Sequence, residues 1–252
     1  MSGPSFQRNA AEAPGAQFAT THWSVILAAA ETATPGADEA IEELCRAYWP
    51  PVYAYIRRQD RNPDDARDLT QEFFAQFLER KRVKLADPTR GRFRSFLIAL
   101  LKNFLTSEWR RGQAEKRGGG QWIVSLEEQQ EIETRLSAEP ADPATTPDRA
   151  FERRWALILL DQVLARLRGE FAATGRQDHF DALRVFVWGD PGTVSQVEVA
   201  ARLGITPNLL GVSVHRLRRR FGELLREQIA QTVASRADID DELRHLMDVL
   251  GS

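Results

Sequence analysis

The stretch Ser195-Gln196-Val197-Glu198-Val199-Ala200-Ala201-Arg202-Leu203-Gly204-Ile205-Thr206-Pro207 decides the reading of the fold. Its first half carries Val197, Ala200, Ala201 and Leu203 at helical spacing. Gly204 then stops the helix, since glycine takes a positive φ without steric cost. Ile205 plugs the corner, Thr206 offers a cap, and Pro207 suits a first helical turn. In the helix that follows, Leu210, Val214, Leu217 and Phe221 recur at steps of four, three and four. The opposite face presents Asn208, Gly211, Ser213, His215, Arg216, Arg218, Arg219 and Arg220. Residues 202–226 hold six arginines against one glutamate, a local +5. An arginine-rich helix can be simply a solvated face, but the Gly-Ile-Thr-Pro corner favours a helix-turn-helix whose basic second helix enters the DNA major groove. The early outer positions are uncharged, so the later arginines are expected mainly to grip phosphates.

Working outward, every other periodic segment is also helical. Phe151, Trp155, Ile158, Leu159, Val163, Leu164 and Leu167, then Phe180, Leu183, Phe186 and Val187, lead into the turn motif. Upstream, Ile41, Leu44, Cys45, Tyr48, Val52, Tyr55 and Ile56 form one stripe, with a bend or break expected at Pro50-Pro51. Asn62-Pro63-Asp64 starts the next helix, and Phe93 to Trp109 makes another. Between these two groups lie Gly118-Gly119-Gly120, an acidic run and a proline-rich stretch, the composition of a flexible connection. The expected fold is all-α, two small helical domains joined by a flexible linker, with the helix-turn-helix in the second. The boundaries are an N-terminal arm with a short helix (1–37), a first domain (38–111), a linker (112–148), a second domain (149–227) and an acidic C-terminal extension (228–252).

Charge is distributed unevenly along the chain. Asp60 to Glu79 holds six acids and two arginines, about −4, with Asp65, Asp68 and Glu72 on one helix face. That face is either simply solvated or a docking surface. Arg90 to Arg117 holds eight basic residues and two acids, about +6, interleaved with Phe93, Phe96, Phe104 and Trp109. Cations along a backbone path and rings on which bases stack are what single-stranded DNA requires. The three phenylalanines also fit a core, and Trp109 beside Arg110-Arg111 is the better stacking candidate.

The whole-chain composition bounds the function. The 252 residues carry a formal charge of only −2, which argues against an indiscriminately basic nucleic-acid binder. A single cysteine, Cys45, excludes an internal disulfide and a cysteine-cluster zinc site. His22, His179, His215 and His245 lie far apart, so no metal set is expected. No apolar run reaches membrane-spanning length, and no signal peptide is read at the N-terminus. No nucleophile–base pair or phosphate loop points to an enzyme, so catalytic residues and cofactors are expected to be none.

Taken in order, three segments resemble the extracytoplasmic-function (ECF) type of bacterial sigma factors. Asp65-Ala66-Arg67-Asp68-Leu69-Thr70-Gln71-Glu72-Phe73-Phe74 is similar to the family's D-A-E-D-L-V-Q-E-x-F. The resemblance implies docking on the clamp helices of core RNA polymerase through Asp65, Asp68, Leu69, Gln71 and Glu72. Phe93-Arg94-Ser95-Phe96-Leu97, continuing through Lys102-Asn103 to Arg110-Arg111, is similar to F-R-x-W-L…R-N…R-R. It implies melting and holding of the −10 promoter element, with Arg94, Lys102, Asn103, Trp109, Arg110 and Arg111 in contact. Leu203-Gly204-Ile205-Thr206-Pro207, continuing to His215-Arg216-Leu217-Arg218, is similar to L-G-I-S-P…H-R-A-R. It implies −35 duplex contacts from Asn208, Ser213, His215, Arg216, Arg218 and Arg219. Phe96 replaces the family's usual tryptophan, Ser107 an aspartate, and Gly211-Val212-Ser213 the usual Lys-Ser-Arg.

The implied protein is a cytoplasmic, non-enzymatic initiation factor whose partners are core RNA polymerase and promoter DNA. The alternative is a free-standing helix-turn-helix regulator, which needs a symmetric dimer and a palindromic site. The regulator expected is either an anti-sigma factor or a regulatory kinase acting at Thr70. Thr70 reads either as an ordinary helix-surface threonine or as a site where phosphate adds charge. The tail combines Asp238, Asp240, Asp241, Glu242 and Asp248 with Leu243, Leu246, Val249 and Leu250, and is expected to shield a basic DNA-binding surface.

Overall fold

A computed structural model describes residues 37–59, 61–79, 82–112, 145–188 and 194–251, with Trp23, Ile26, Ile132, Thr134 and Gly192. The arm and the linker fall almost wholly outside these residues. Among the described residues the chain is helical without a strand.

Helix α1 (Ala37–Arg57) runs through Pro50 and Pro51 without the expected break. Each proline removes a helix hydrogen-bond donor. The loss is offset by burial, because Tyr48, Trp49, Val52, Tyr53 and Ile56 around them are almost completely enclosed. Helix α2 (Pro63–Glu79) starts where expected, with the Asp65 amide donating to Asn62 Oδ1 at 2.8 Å. Phe73, Phe74 and Phe77 bury its apolar face. Two short 3₁₀ turns, Arg82–Leu85 and Pro88–Arg90, lead to helix α3 (Phe93–Gly112). Asp87 caps the second of them, and its hydrogen bonds from the Thr89 hydroxyl and amide hold its carboxyl below the usual carboxylate range.

Helix α4 (Pro147–Ala173) opens on Thr146, whose hydroxyl accepts from the Arg149 amide at 3.2 Å. It lies along α1, and Phe151 stacks on Tyr48 with ring centroids 6.3 Å apart. Helix α5 (Gln177–Leu183) and the turn Arg184–Phe186 carry the chain to helix α6 (Gln196–Arg202) and helix α7 (Pro207–Ala230). Helix α8 (Ile239–Leu250) follows and packs on both α4 and α7. One buried cluster therefore runs from Leu44 and Phe73 through Phe151 and Leu159 to Leu217, Leu246 and Val249. The two helical groups expected as separate domains share this core, with α4 as the element common to both.

The turn between α6 and α7 has the chemistry its residues dictate. Gly204 adopts φ +65°, its amide donates to Ala201 O, and the Ile205 amide reaches back to Ala200 O. Those two bonds close a helix end through a left-handed residue. The Thr206 hydroxyl accepts from the Leu209 amide at 3.3 Å and starts α7. One detail differs from the sequence reading: Val199 and Ala200 are buried, whereas Val197 and Ala201 face solvent. A two-turn helix buries only a narrow strip, and here that strip passes through residues 199, 200 and 203.

Candidate nucleic-acid interface

The acidic face of α2 is built from consecutive turns. Asp65, Asp68 and Glu72 are exposed, and Leu69 is half-buried beside them. Gln71 is buried instead, so this residue does not belong to the accessible face. Thr70 is 0% exposed, and its hydroxyl donates to Ala66 O at 2.7 Å. It is not the surface threonine expected, because a position directly between Ala66 and Phe74 at four-residue steps points inward. A phosphate on Thr70 requires this helix to leave its neighbours first.

Helix α3 divides its expected contact residues into two sets. Toward its C-terminal end, Trp109 is 64% exposed, and Arg110 is exposed without an ion pair among the described residues. The Arg111 side chain lies outside the described residues. Asn103 is exposed and borders a hollow of about 90 Å³ between α2 and α3, with Phe73, Gln76, Arg82 and Ser107 also in its wall. Lys102 is exposed as well, but its ammonium lies 2.7 Å from Asp148 at the start of α4, a hydrogen bond that raises its pKa.

Arg94, at the N-terminal end of α3, is the exception: it is 2% exposed. Its two terminal nitrogens meet the two oxygens of Glu242 on α8, the Nη2–Oε2 distance being 2.9 Å. Its Nε lies 2.7 Å from Glu152 on α4, and its guanidinium carbon sits 4.3 Å from the centre of the Trp155 ring. Arg92 adds a second cation 2.7 Å from Glu242. Burial alone would weaken the Arg94 guanidinium's hold on its proton, and the bonds to Glu242 and the charge of Glu152 reverse this and raise its pKa. A buried cation tolerated in this way needs near-complete pairing. Here it is paired bidentately, with a stacked ring on one side. The expectation that Arg94 presents itself to DNA is corrected accordingly: the residue is enclosed by three helices.

The outer face of α7 is more open. Asn208, His215, Arg216 and Arg219 are exposed, and Arg216 makes no ion pair among the described residues. Ser213 is half-buried and its hydroxyl donates to Leu209 O. Arg218 donates from Nε to Phe186 O at 2.8 Å, which fixes its stem while leaving it exposed to solvent. Arg219 lies 3.5 Å from Glu223. Arg220 is turned away from this face toward Glu170 on α4, with nitrogen–oxygen distances of 2.9 and 2.6 Å. That pair raises the Arg220 pKa and lowers that of Glu170.

Sequence reasoning did not single out Glu152 or Arg92, and it read Glu242 only as part of the acidic tail and Trp155 only as a core-stripe position. A signal for Glu242 was present: it stands on the apolar stripe of α8, in register with Ile239, Leu246 and Val249. A charge on a helix's buried stripe demands a partner, but the stripe alone does not say which.

Residues 44–115, which span most of α1 and all of α2 and α3, match the family model for sigma-70 region 2. That segment is therefore a sigma-70 region 2 domain, a finding that supports a sigma factor. Comparison with curated proteins and with solved structures gives no match.

Proposed function

We propose that this chain is a transcription initiation factor, a sigma factor of the ECF type that directs core RNA polymerase to promoters from the cytoplasm. The observation that carries the reading is the sigma-70 region 2 match over residues 44–115, on helices that present an acidic face followed by a basic, aromatic one. Asp65, Asp68 and Glu72, with Leu69 at their edge, dock the chain on the polymerase. The end of α3 then receives the separating −10 strand. Trp109 offers a ring for an unstacked base, Arg110 and Arg111 meet its phosphates, and Asn103 stands at the hollow between α2 and α3. Capture of a base offsets part of the few-kcal/mol cost of opening each step.

The helix-turn-helix of α6 and α7 grips upstream −35 duplex. Arg216 and Arg219 supply phosphate contacts, and Asn208, Ser213 and His215 lie nearer the base edges. Two contacts on one chain raise the effective concentration of the second once the first is made. This explains why a near-neutral chain suffices, since polymerase supplies the rest of the DNA grip. Polymerisation chemistry belongs to the partner, and an anti-sigma factor or a kinase is the class of regulator that fits.

The test is transcription with sigma-free core RNA polymerase on genomic DNA, with mapping of transcript 5′ ends. Discrete starts that share an upstream element and depend on added chain are expected. Strong binding to a palindromic duplex with no initiation would instead establish a free-standing helix-turn-helix regulator.

A further inference from the structure

We propose that α8 is a built-in latch over the N-terminal end of α3, leaving the Trp109 end open, and that it must swing away before Arg92 and Arg94 can reach the single strand. The proposal rests on the reading of α3 as a −10 contact helix, and goes beyond it by assigning a state in which that helix is partly closed.

The observations converge on Glu242. It is 0% exposed, yet it is held by Arg94 of α3 and by Arg92 just ahead of that helix, some 150 positions earlier in sequence. Around it the cluster is balanced: Arg92 and Arg94 face Glu242 and Glu152, two cations against two carboxylates. His245, the next turn of α8, lies 3.3 Å from the same Glu152. Further ties of α8 lie at or near the surface. Arg226 meets Asp240 at 2.7 Å, and Arg149 and Arg153 of α4 reach the carbonyls of Asp248 and Leu250. An apolar stripe holds it too: Leu246 and Val249 are buried and Ile239, Leu243 and Leu250 pack half-buried on the same core, so release of the latch must also expose these side chains.

A strand of phosphates is a chemically equivalent partner for this guanidinium pair, since both phosphate and carboxylate accept two parallel N–H bonds. DNA and Glu242 therefore compete for the same nitrogens. Lys102 repeats the arrangement one helix face further along, where Asp148 of α4 takes the place of a phosphate. The open cations at Arg110 permit first contact, and displacement of Glu242 extends it. The tail thus covers the N-terminal end of α3 and leaves Arg216 and Arg219 of α7 exposed.

The test measures binding of a fluorescent single-stranded oligonucleotide to the full chain across a salt series. The chains are wild type, Glu242→Gln, and Glu242→Gln combined with Arg94→Met, each checked for folding by circular dichroism. Glu242→Gln is expected to bind about tenfold tighter at low salt, with a log–log salt slope steeper by about 0.7 for each cation released. Adding Arg94→Met is expected to remove most of that gain. A folded Glu242→Gln chain with wild-type affinity and slope overturns the latch, as does a gain that survives Arg94→Met. If Glu242→Gln does not fold, amide exchange on the wild-type chain decides. Faster exchange at residues 239–250 on saturation with the oligonucleotide supports the latch, and unchanged protection overturns it. Arg110→Ala separates this from the reading of α3 itself. Weakened oligonucleotide binding by that variant, without a gain from Glu242→Gln, removes the latch alone. Absence of any single-strand binding removes both.

Discussion

Helices α3 and α7 are the two basic helices among the described residues, and they keep their charges in opposite ways. In α3 the first arginine is enclosed with carboxylates from α8 and α4, exposed Lys102 is paired with Asp148, and Arg110 beside Trp109 is the cation left open to solvent. In α7 the arginine turned inward, Arg220, is the one that holds the helix to α4, and the outer residues Arg216 and Arg219 remain exposed. A run of basic residues in a sequence therefore mixes two kinds of group. Some are cations that acids of the same chain occupy in this state, and others are already open to a nucleic acid.

The comparison is broken most severely at the buried pair. Glu242→Ala strands Arg94 in a dry site, and loss of one partner of a buried pair costs about 3–5 kcal/mol. Chemical denaturation is expected to show that loss, and Glu170→Ala at the half-exposed α7 pair is expected to cost far less. Next in size is a binding effect without a folding effect. Trp109→Ala is expected to weaken single-strand binding by about 1–3 kcal/mol if one base stacks there. In the same titrations duplex binding and melting temperature should hardly move. The turn before α7 provides a third contrast. Gly204 has φ +65° with nothing near an added Cβ, so Gly204→Ala carries only the left-handed backbone cost, about 1–2 kcal/mol. Thermal melts measure it.

The smallest effect is the pH response of the α7 pair. Arg220 holds the Glu170 carboxyl below its unfolded value, so its contribution is present above the ordinary carboxylate pKa and is lost as pH falls through the lower folded value. Wild type is expected to lose slightly more stability than Glu170→Gln in a melt series taken from neutral pH down into the acid range.

The residue pattern made the helices legible because their apolar stripes and end signals are local. Asn62, Ser195, Thr206 and Gly204 each act within a few positions of themselves, and each stands at the helix end it was read to mark. The exposed acidic trio on α2 and the open Trp109 were legible for the same reason. At Pro50-Pro51 the break did not occur, because the packing of Tyr48, Trp49, Val52 and Tyr53 outweighs the local cost of two missing donors. Gln71, Thr70 and Arg94 were read as surface groups because polar residues usually are. Their burial depends on neighbours remote in sequence: α8 reaches Arg94 across 148 positions, a pairing that no local pattern encodes.

The central claim is that one chain touches an opening strand with α3 and upstream duplex with α7 while bound to polymerase. Site-specific photo-crosslinking measures this directly, with a reactive side chain placed at position 109 or at position 216 in the assembled initiation complex. The account predicts that position 109 labels the displaced strand near the transcript start, and that position 216 labels duplex farther upstream on the same promoter. Labelling of matching half-sites of one palindrome by position 216, with none from position 109 and no dependence on polymerase, would contradict it.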